Sequence, residues 1–134
     1  MNVLIADRSK TGWKRVKKLL EEIAGVETSG CDLNGADALN QIEGLRPDVL
    51  IFDVDIPVSK GLEVLRGIRR KHSPPVVIVL TDASCAHFRR LCLESGAAFF
   101  FDKATEYHKV APAVEDLLEK SQGSPDHAVS VNNP

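Results

Sequence analysis

Apolar residues along the chain fall into two kinds of run that alternate. Val3-Leu4-Ile5-Ala6, Val49-Leu50-Ile51-Phe52, Val76-Val77-Ile78-Val79-Leu80 and Ala98-Phe99-Phe100-Phe101 are short, β-branched or aromatic, and bounded by polar or turn residues. Continuous rather than alternating apolarity suits strands covered on both faces, as in a parallel sheet. Val26-Glu27-Thr28-Ser29 is a weaker candidate whose polarity suits an edge strand.

Helical spacing fills the gaps. Trp13, Val16, Leu20 and Ile23 recur on one face, with Lys10, Lys14, Lys17 and Lys18 elsewhere on the cylinder. Ala38, Leu39 and Ile42 predict a shorter helix capped by Asn34. Leu62, Leu65 and Ile68 lead a third, which ends in Arg69-Arg70-Lys71, the charge that a helix C-terminus prefers. Phe88, Leu91 and Cys92 mark a fourth, with Gly96 placed to end it. Val110, Val114, Leu117 and Leu118 mark a fifth, with Thr105 as its cap and Pro112 delaying or bending its start.

The order is β-α repeated five times. With right-handed crossovers this predicts an α/β fold, a doubly wound five-stranded parallel sheet with helices on both faces. From Ser121 onward, "SQGSPDHAVSVNNP" has no periodicity and many turn formers. The expected organisation is therefore one domain over 1–120 and a flexible tail over 121–134.

Composition narrows the function. A chain of 134 residues with 43% hydrophobic and 27% charged residues can bury a core without staples. A net charge of -2 predicts neither a nucleic-acid groove nor a polybasic membrane patch. No apolar run approaches a membrane span, and "MNVLIAD" is too short a stretch for a signal peptide, so a cytoplasmic location is expected. Cys31, Cys85 and Cys92 form no Cys-x-x-Cys and are read as reduced thiols. His72, His87, His108 and His127 are scattered, without metal-site spacing, and are read as surface residues.

Chemistry gathers where the apolar runs end. Open α/β sheets bind ligands beyond the carboxyl ends of their strands. Asp7 and Arg8 follow the first run, Asp53 and Asp55 the third, Thr81 the fourth, and Asp102 and Lys103 the last. Singly, each is a commonplace turn, cap or surface residue. Together they suit phosphoryl transfer. Carboxylates are ligands for Mg²⁺, a carboxylate can serve as nucleophile toward phosphorus, and an ammonium and a hydroxyl can hold phosphoryl oxygens. On this reading Asp53 is the nucleophile, Asp7 helps to hold the metal, and Thr81 and Lys103 grip the phosphoryl group.

The blocks "VLIAD", "IFDVDIPVSKGLEVLRGIR", "VVIVLTDAS" and "LESGAAFFFDK", with the spacing among them, resemble a response-regulator receiver domain of the stand-alone chemotaxis type, over roughly Asn2 to Lys120. The block holding Asp53, Pro57 and Gly61 is the most specific. The resemblance implies a flavodoxin-like (βα)5 fold with strand order 2-1-3-4-5. It implies that Asp53 accepts a phosphoryl group from a histidine kinase or phosphotransfer protein. It makes Thr81 and Lys103 the switch hydroxyl and lysine, and Phe100 the aromatic residue whose rotamer follows phosphorylation. It assigns Mg²⁺ to Asp7, Asp53 and the backbone carbonyl of Asp55. It implies a downstream protein target read through the face of helix 4, strand 5 and helix 5, with His87, Arg89, Arg90, Tyr107 and Lys109 as its exposed candidates.

Three departures qualify the match. The family usually has two acidic residues after the first strand, and here the pair is Asp7-Arg8. Arg8 cannot ligate a cation. Either Asp55 supplies the missing carboxylate and a weakened Mg²⁺ site survives, or Arg8 stands in the cation's place. Ala104 replaces the usual proline after Lys103 and leaves the geometry of that peptide open. Ala83, two residues after Thr81, is small and leaves the phosphoryl site open to water.

Two other readings stand beside this one. A pseudo-receiver would bind a partner without phosphorylation, and Arg8 is its support. A haloacid-dehalogenase-type phosphatase would use Asp53 and Asp55 as nucleophile and general acid. Such an enzyme needs a further acidic pair on a later strand, and Glu106, Glu115, Asp116, Glu119 and Asp126 follow no apolar strand.

Overall fold

The computed structural model describes residues 1–7, 9–31, 35–53, 58–82 and 85–127. Strands β1 (Asn2–Ala6), β2 (Glu27–Cys31), β3 (Val49–Phe52), β4 (Val76–Thr81) and β5 (Phe99–Asp102) alternate with helices α1 (Lys10–Leu20), α2 (Gly35–Leu45), α3 (Val58–Arg69), α4 (Ala86–Glu94) and α5 (Val110–His127). A 3-10 turn, Tyr107–Lys109, leads into α5. All strand pairs are parallel, in the order β2-β1-β3-β4-β5. The polar strand is at the edge, as its composition predicts.

The apolar runs are continuous because the sheet is covered twice. Leu4, Leu50, Phe52, Val77, Val79 and Phe100 point into one core, closed by side chains from α2, α3 and α4. The intervening Val3, Ile5, Val49, Ile51, Ile78 and Leu80 point into the other, under α1 and α5. Successive side chains on a strand face opposite ways, so each run feeds both layers.

Helix α1 starts at Ser9, whose hydroxyl accepts the Gly12 N–H at 3.1 Å. Val16 and Leu20 are its buried residues. Gly96, at φ +118, follows Ser95, the C-cap of α4, at the position where a left-handed residue commonly ends a helix. The start of α4 has an unforeseen cap, Cys85, whose Sγ accepts the Phe88 N–H at 3.4 Å. Cys85 is an exposed free thiol and Cys92 a buried one. His72, His87 and His108 are exposed.

Two expectations change. Thr105 does not cap α5, which begins only at Val110. The preceding loop is folded instead by Asp102, which accepts the Ala104 N–H, and by Glu106, which accepts the Asp102 N–H. Pro112 then falls in the first turn, where a missing N–H costs nothing. The second change is at the far end, where helical backbone continues past Ser121 to His127. Periodicity reports a buried face, whereas propagation of a helix already nucleated needs none, so this extension left no pattern in the sequence. The proposed cap Asn34 lies outside the described residues, as does Ala83. Among the described residues, no helix is long and apolar enough to cross a membrane.

Candidate functional site

Strand register brings the polar residues together. Ala6 is level with Phe52, and the Asp53 N–H donates to the Ala6 carbonyl at 2.9 Å, so Asp7 and Asp53 leave the sheet side by side. Thr81 is level with Asp102, and the Lys103 N–H donates to the Thr81 carbonyl at 2.9 Å. Lys103 thus starts its reach from the last peptide of the sheet.

Its ammonium crosses to the neighbouring strand ends. Lys103 Nζ lies 2.5 Å from Asp53 Oδ2 and 3.5 Å from Asp7 Oδ2. Asp7 and Asp53 are only 2% and 8% exposed, and Thr81 is wholly buried. Asp7 is held from the other side as well, for its Oδ1 accepts the Ser9 N–H at 2.8 Å. One oxygen remains: Asp53 Oδ1 is buried and has no hydrogen-bond partner.

Charge follows this geometry. Burial pushes the Asp53 carboxyl up to about 7, against the pull of the Lys103 hydrogen bond and aided by the charge of Asp7. Burial works against the Lys103 ammonium, but the hydrogen bond and charge of Asp53, with Asp7 and Asp82 behind them, hold its pKa above the ordinary value. Among the described residues, two buried carboxylates therefore share the Lys103 ammonium.

Phe100 is 1% exposed and lies two residues before Asp102, the last residue of β5. Its ring meets Phe88 edge-on at 5.7 Å, and the Arg89 guanidinium stands 5.8 Å from its centroid. Arg89 Nη1 also donates to the Phe100 carbonyl at 2.9 Å. The bond between α4 and β5 is thus made by an exposed arginine.

Of the residues expected from the sequence, Asp7, Asp53 and Lys103 meet, and Thr81 is buried beside the backbone that launches Lys103. Arg8 and Asp55 lie outside the described residues. Among the described residues no group of three or more metal-binding side chains occurs. The Lys103–Ala104 peptide is trans. Two supporting residues escaped the sequence reading. Ser9 steadies Asp7, and its place just before a helical pattern was a usable cap signal. Gly12 makes room for Asp7, since a Cβ there would lie 2.2 Å from Asp7 Oδ2. A glycine inside a helix costs stability and so hints at a close approach.

Residues 3–115 match the family model of the response regulator receiver domain. The chain is 43% identical over 104 residues to a protein-glutamate methylesterase/protein-glutamine glutaminase of Geobacillus kaustophilus, covering 77% of this chain and 30% of that protein. It is 27% identical to the DNA-binding transcriptional activator EvgA of Escherichia coli K12, covering 86% and 56%. The chain spans about a third of the length of the first curated relatives it matches. In structure it resembles the receiver domain of the response regulator NarL from Mycobacterium tuberculosis, at a TM-score of 0.76 and 26% identity, covering 87% of this chain and 94% of that one. The response regulator domain of Thermotoga maritima CheB, at 0.73 and 24% identity over 90% and 94%, shares the fold. Polar side chains at four strand ends, on a sheet of order 2-1-3-4-5, carry the same assignment as the sequence match: this chain belongs to the response regulator receiver domain family.

Proposed function

We propose that Asp53 is the phosphoacceptor, taking its phosphoryl group from a phosphohistidine on a histidine kinase or phosphotransfer protein. The observation that carries this reading is the unpartnered Oδ1 of Asp53. The companion oxygen is held by Lys103, so the free one is left to attack phosphorus. As the O–P bond forms, the P–N bond breaks and its electron pair stays on the imidazole nitrogen, which then takes up a proton. Lys103 is within reach of a phosphoryl oxygen, and Thr81 at the neighbouring strand end is the hydroxyl for another. The unit is a phosphoacceptor that assists its own phosphorylation and dephosphorylation, not a multiple-turnover enzyme.

The donor set fits Mg²⁺. Asp7 and Asp53 offer adjacent buried carboxylates, one with an orphaned oxygen, and Lys103 is the cation that reaches them among the described residues. Asp7, Asp53 and the Asp55 carbonyl would hold the ion, which when bound would neutralise charge on the phosphoryl oxygens. Arg8 in the second acidic position weakens that affinity, and Arg8→Asp should raise it markedly in a calorimetric titration.

Output runs through the face of α4, β5 and α5 to a protein target, with Phe100 as the buried side of that face and Arg89, Arg90 and Lys109 as exposed members. The test of the whole reading is intact-protein mass after acetyl phosphate, with and without Mg²⁺. A single phosphoryl adduct is expected, abolished by Asp53→Ala and retained by Asp55→Ala. No adduct at high donor concentration would leave the pseudo-receiver, which the Arg8 substitution favours.

A further inference from the structure

A recess of ≈ 340 Å³ lies at the amino end of the sheet, away from Asp53. Helices α2 and α3 end there, at Leu45 and Arg69, and the chain then turns back into β3 and β4. Ile42, Glu43, Arg46, Lys71, His72 and Ser73 line it. Ile42 is its buried apolar floor, and Glu43, Arg46, His72 and Ser73 are exposed. Lys71 Nζ donates to Glu43 Oε1 at 2.7 Å and ties the two sides together.

Most polar groups around this recess have no work within the fold. Among the described residues, the side chains of Arg46, His72 and Ser73 make no hydrogen bond or ion pair. A cation just past a helix C-terminus ordinarily serves the helix dipole, which accounts for Lys71. Arg46 carries a further cost. At φ 48 it is the only non-glycine residue with positive φ among the described residues. Its N–H closes α2 on the Ile42 carbonyl at 2.9 Å. Glycine takes this conformation freely, whereas a residue with a Cβ is strained in it. Strain kept together with an unused guanidinium points to a role for that side chain outside the fold.

We propose that this recess binds a phosphomonoester of a sugar-like metabolite. Arg46, Lys71 and His72 supply N–H donors for the three oxygens of a phosphate head. A carboxylate, with two oxygens, would be filled by Arg46 alone. A free phosphate ion would leave most of the space empty, for sites that hold small organic ligands begin at about 300 Å³. The rest of the lining selects the body of the ligand. Glu43 and Ser73 are acceptors for hydroxyl groups, since Glu43 keeps a second carboxylate oxygen beyond its bond to Lys71. No Phe, Tyr or Trp lines the recess, so it offers no large aromatic face to a nucleobase.

The site is separate from phosphorylation at Asp53. The length of β3 stands between the recess and that residue. A sugar phosphate is an ester of an ordinary alcohol and lacks the reactive P–N bond of a phosphohistidine, so it binds without transferring its phosphoryl group.

The ¹⁵N-labelled chain is titrated with glucose 6-phosphate at constant ionic strength, beside inorganic phosphate and glucose. Amide shifts are expected over residues 42–46 and 71–73, smaller with phosphate and absent with glucose. Arg46→Gly is the decisive variant, because it removes the guanidinium and relieves the strained backbone together. It should reduce affinity about tenfold or more, while thermal unfolding shows a fold as stable as before or more so. Arg46→Lys, which keeps the charge and loses the planar fork, should weaken binding less. Asp53→Ala should leave it intact. Shifts of equal size over residues 10–18, equal affinity for glucose or for inorganic phosphate, no shifts at all, or unchanged affinity in a folded Arg46→Gly variant would overturn the proposal.

Discussion

Asp48 and Asp53 bracket the same strand, β3, and their backbones do the same work. The Asp48 N–H donates to the Asn2 carbonyl and the Asp53 N–H to the Ala6 carbonyl, each at 2.9 Å, so both pin β3 to β1. Their side chains have opposite fates. Asp48 is exposed, and its Oδ2 accepts the Asn2 N–H at 2.8 Å. Asp53 is buried, held by Lys103 through one oxygen and left unsatisfied at the other. A carboxylate at the amino end of the sheet is a solvated stitch. At the carboxyl end, beside the ends of β1, β4 and β5, the same group is buried and left with one oxygen unsatisfied.

The largest expected effect that sharpens this contrast is at Lys103. Lys103→Ala leaves two buried carboxylates with no ammonium and should cost about 2 kcal/mol or more in urea denaturation without Mg²⁺. A cost as small as that of Asp48→Ala would show that the two ends do not differ electrostatically.

The next effect is a dependence on pH. The folded-state pKa of Asp53 is raised to about 7 by burial. Below roughly pH 4 the residue is protonated in both states and contributes nothing. As pH rises to about 7 the unfolded chain releases its proton first, so stability falls across that window. Asp53→Asn should remove on the order of 1–3 kcal/mol of this loss in chelator-treated buffer. An unaltered pH profile would place Asp53 in the same class as Asp48.

Gly12 tests how closely the carboxyl end is fitted. Glycine-to-alanine changes inside helices normally stabilise by about 1 kcal/mol. Here the new Cβ would stand 2.2 Å from the Asp7 carboxylate, itself 2% exposed. Gly12→Ala should therefore destabilise, by about 1 kcal/mol, in thermal unfolding. A stabilised variant would mean that Asp7 can turn aside freely. The smallest effect belongs to Asp48→Ala. The Asn2 N–H it abandons can turn to water, so the loss should stay below about 1 kcal/mol.

Much of this is legible in the sequence. Five strands, five helices and the residues leaving the strand ends followed from periodicity and turn chemistry, because burial on a strand or helix repeats locally. The Thr105 cap was misplaced because Asp102 and Glu106 fold that loop through contacts that no pattern announces. The helical stretch beyond Ser121 was hidden because periodicity reports a buried face and not the helix itself.

By itself, the sequence determined which residues stand at the carboxyl ends of β1, β3, β4 and β5, since chain order and alternation settle that. Only the tertiary structure decided that Lys103 turns to Asp53 rather than to water, that Ser9 and Gly12 seat Asp7, and that Asp53 Oδ1 is the oxygen left over. The physical reason is that position along a strand is a local property. The direction of a long side chain and the water around a carboxylate depend on neighbours dozens of residues away.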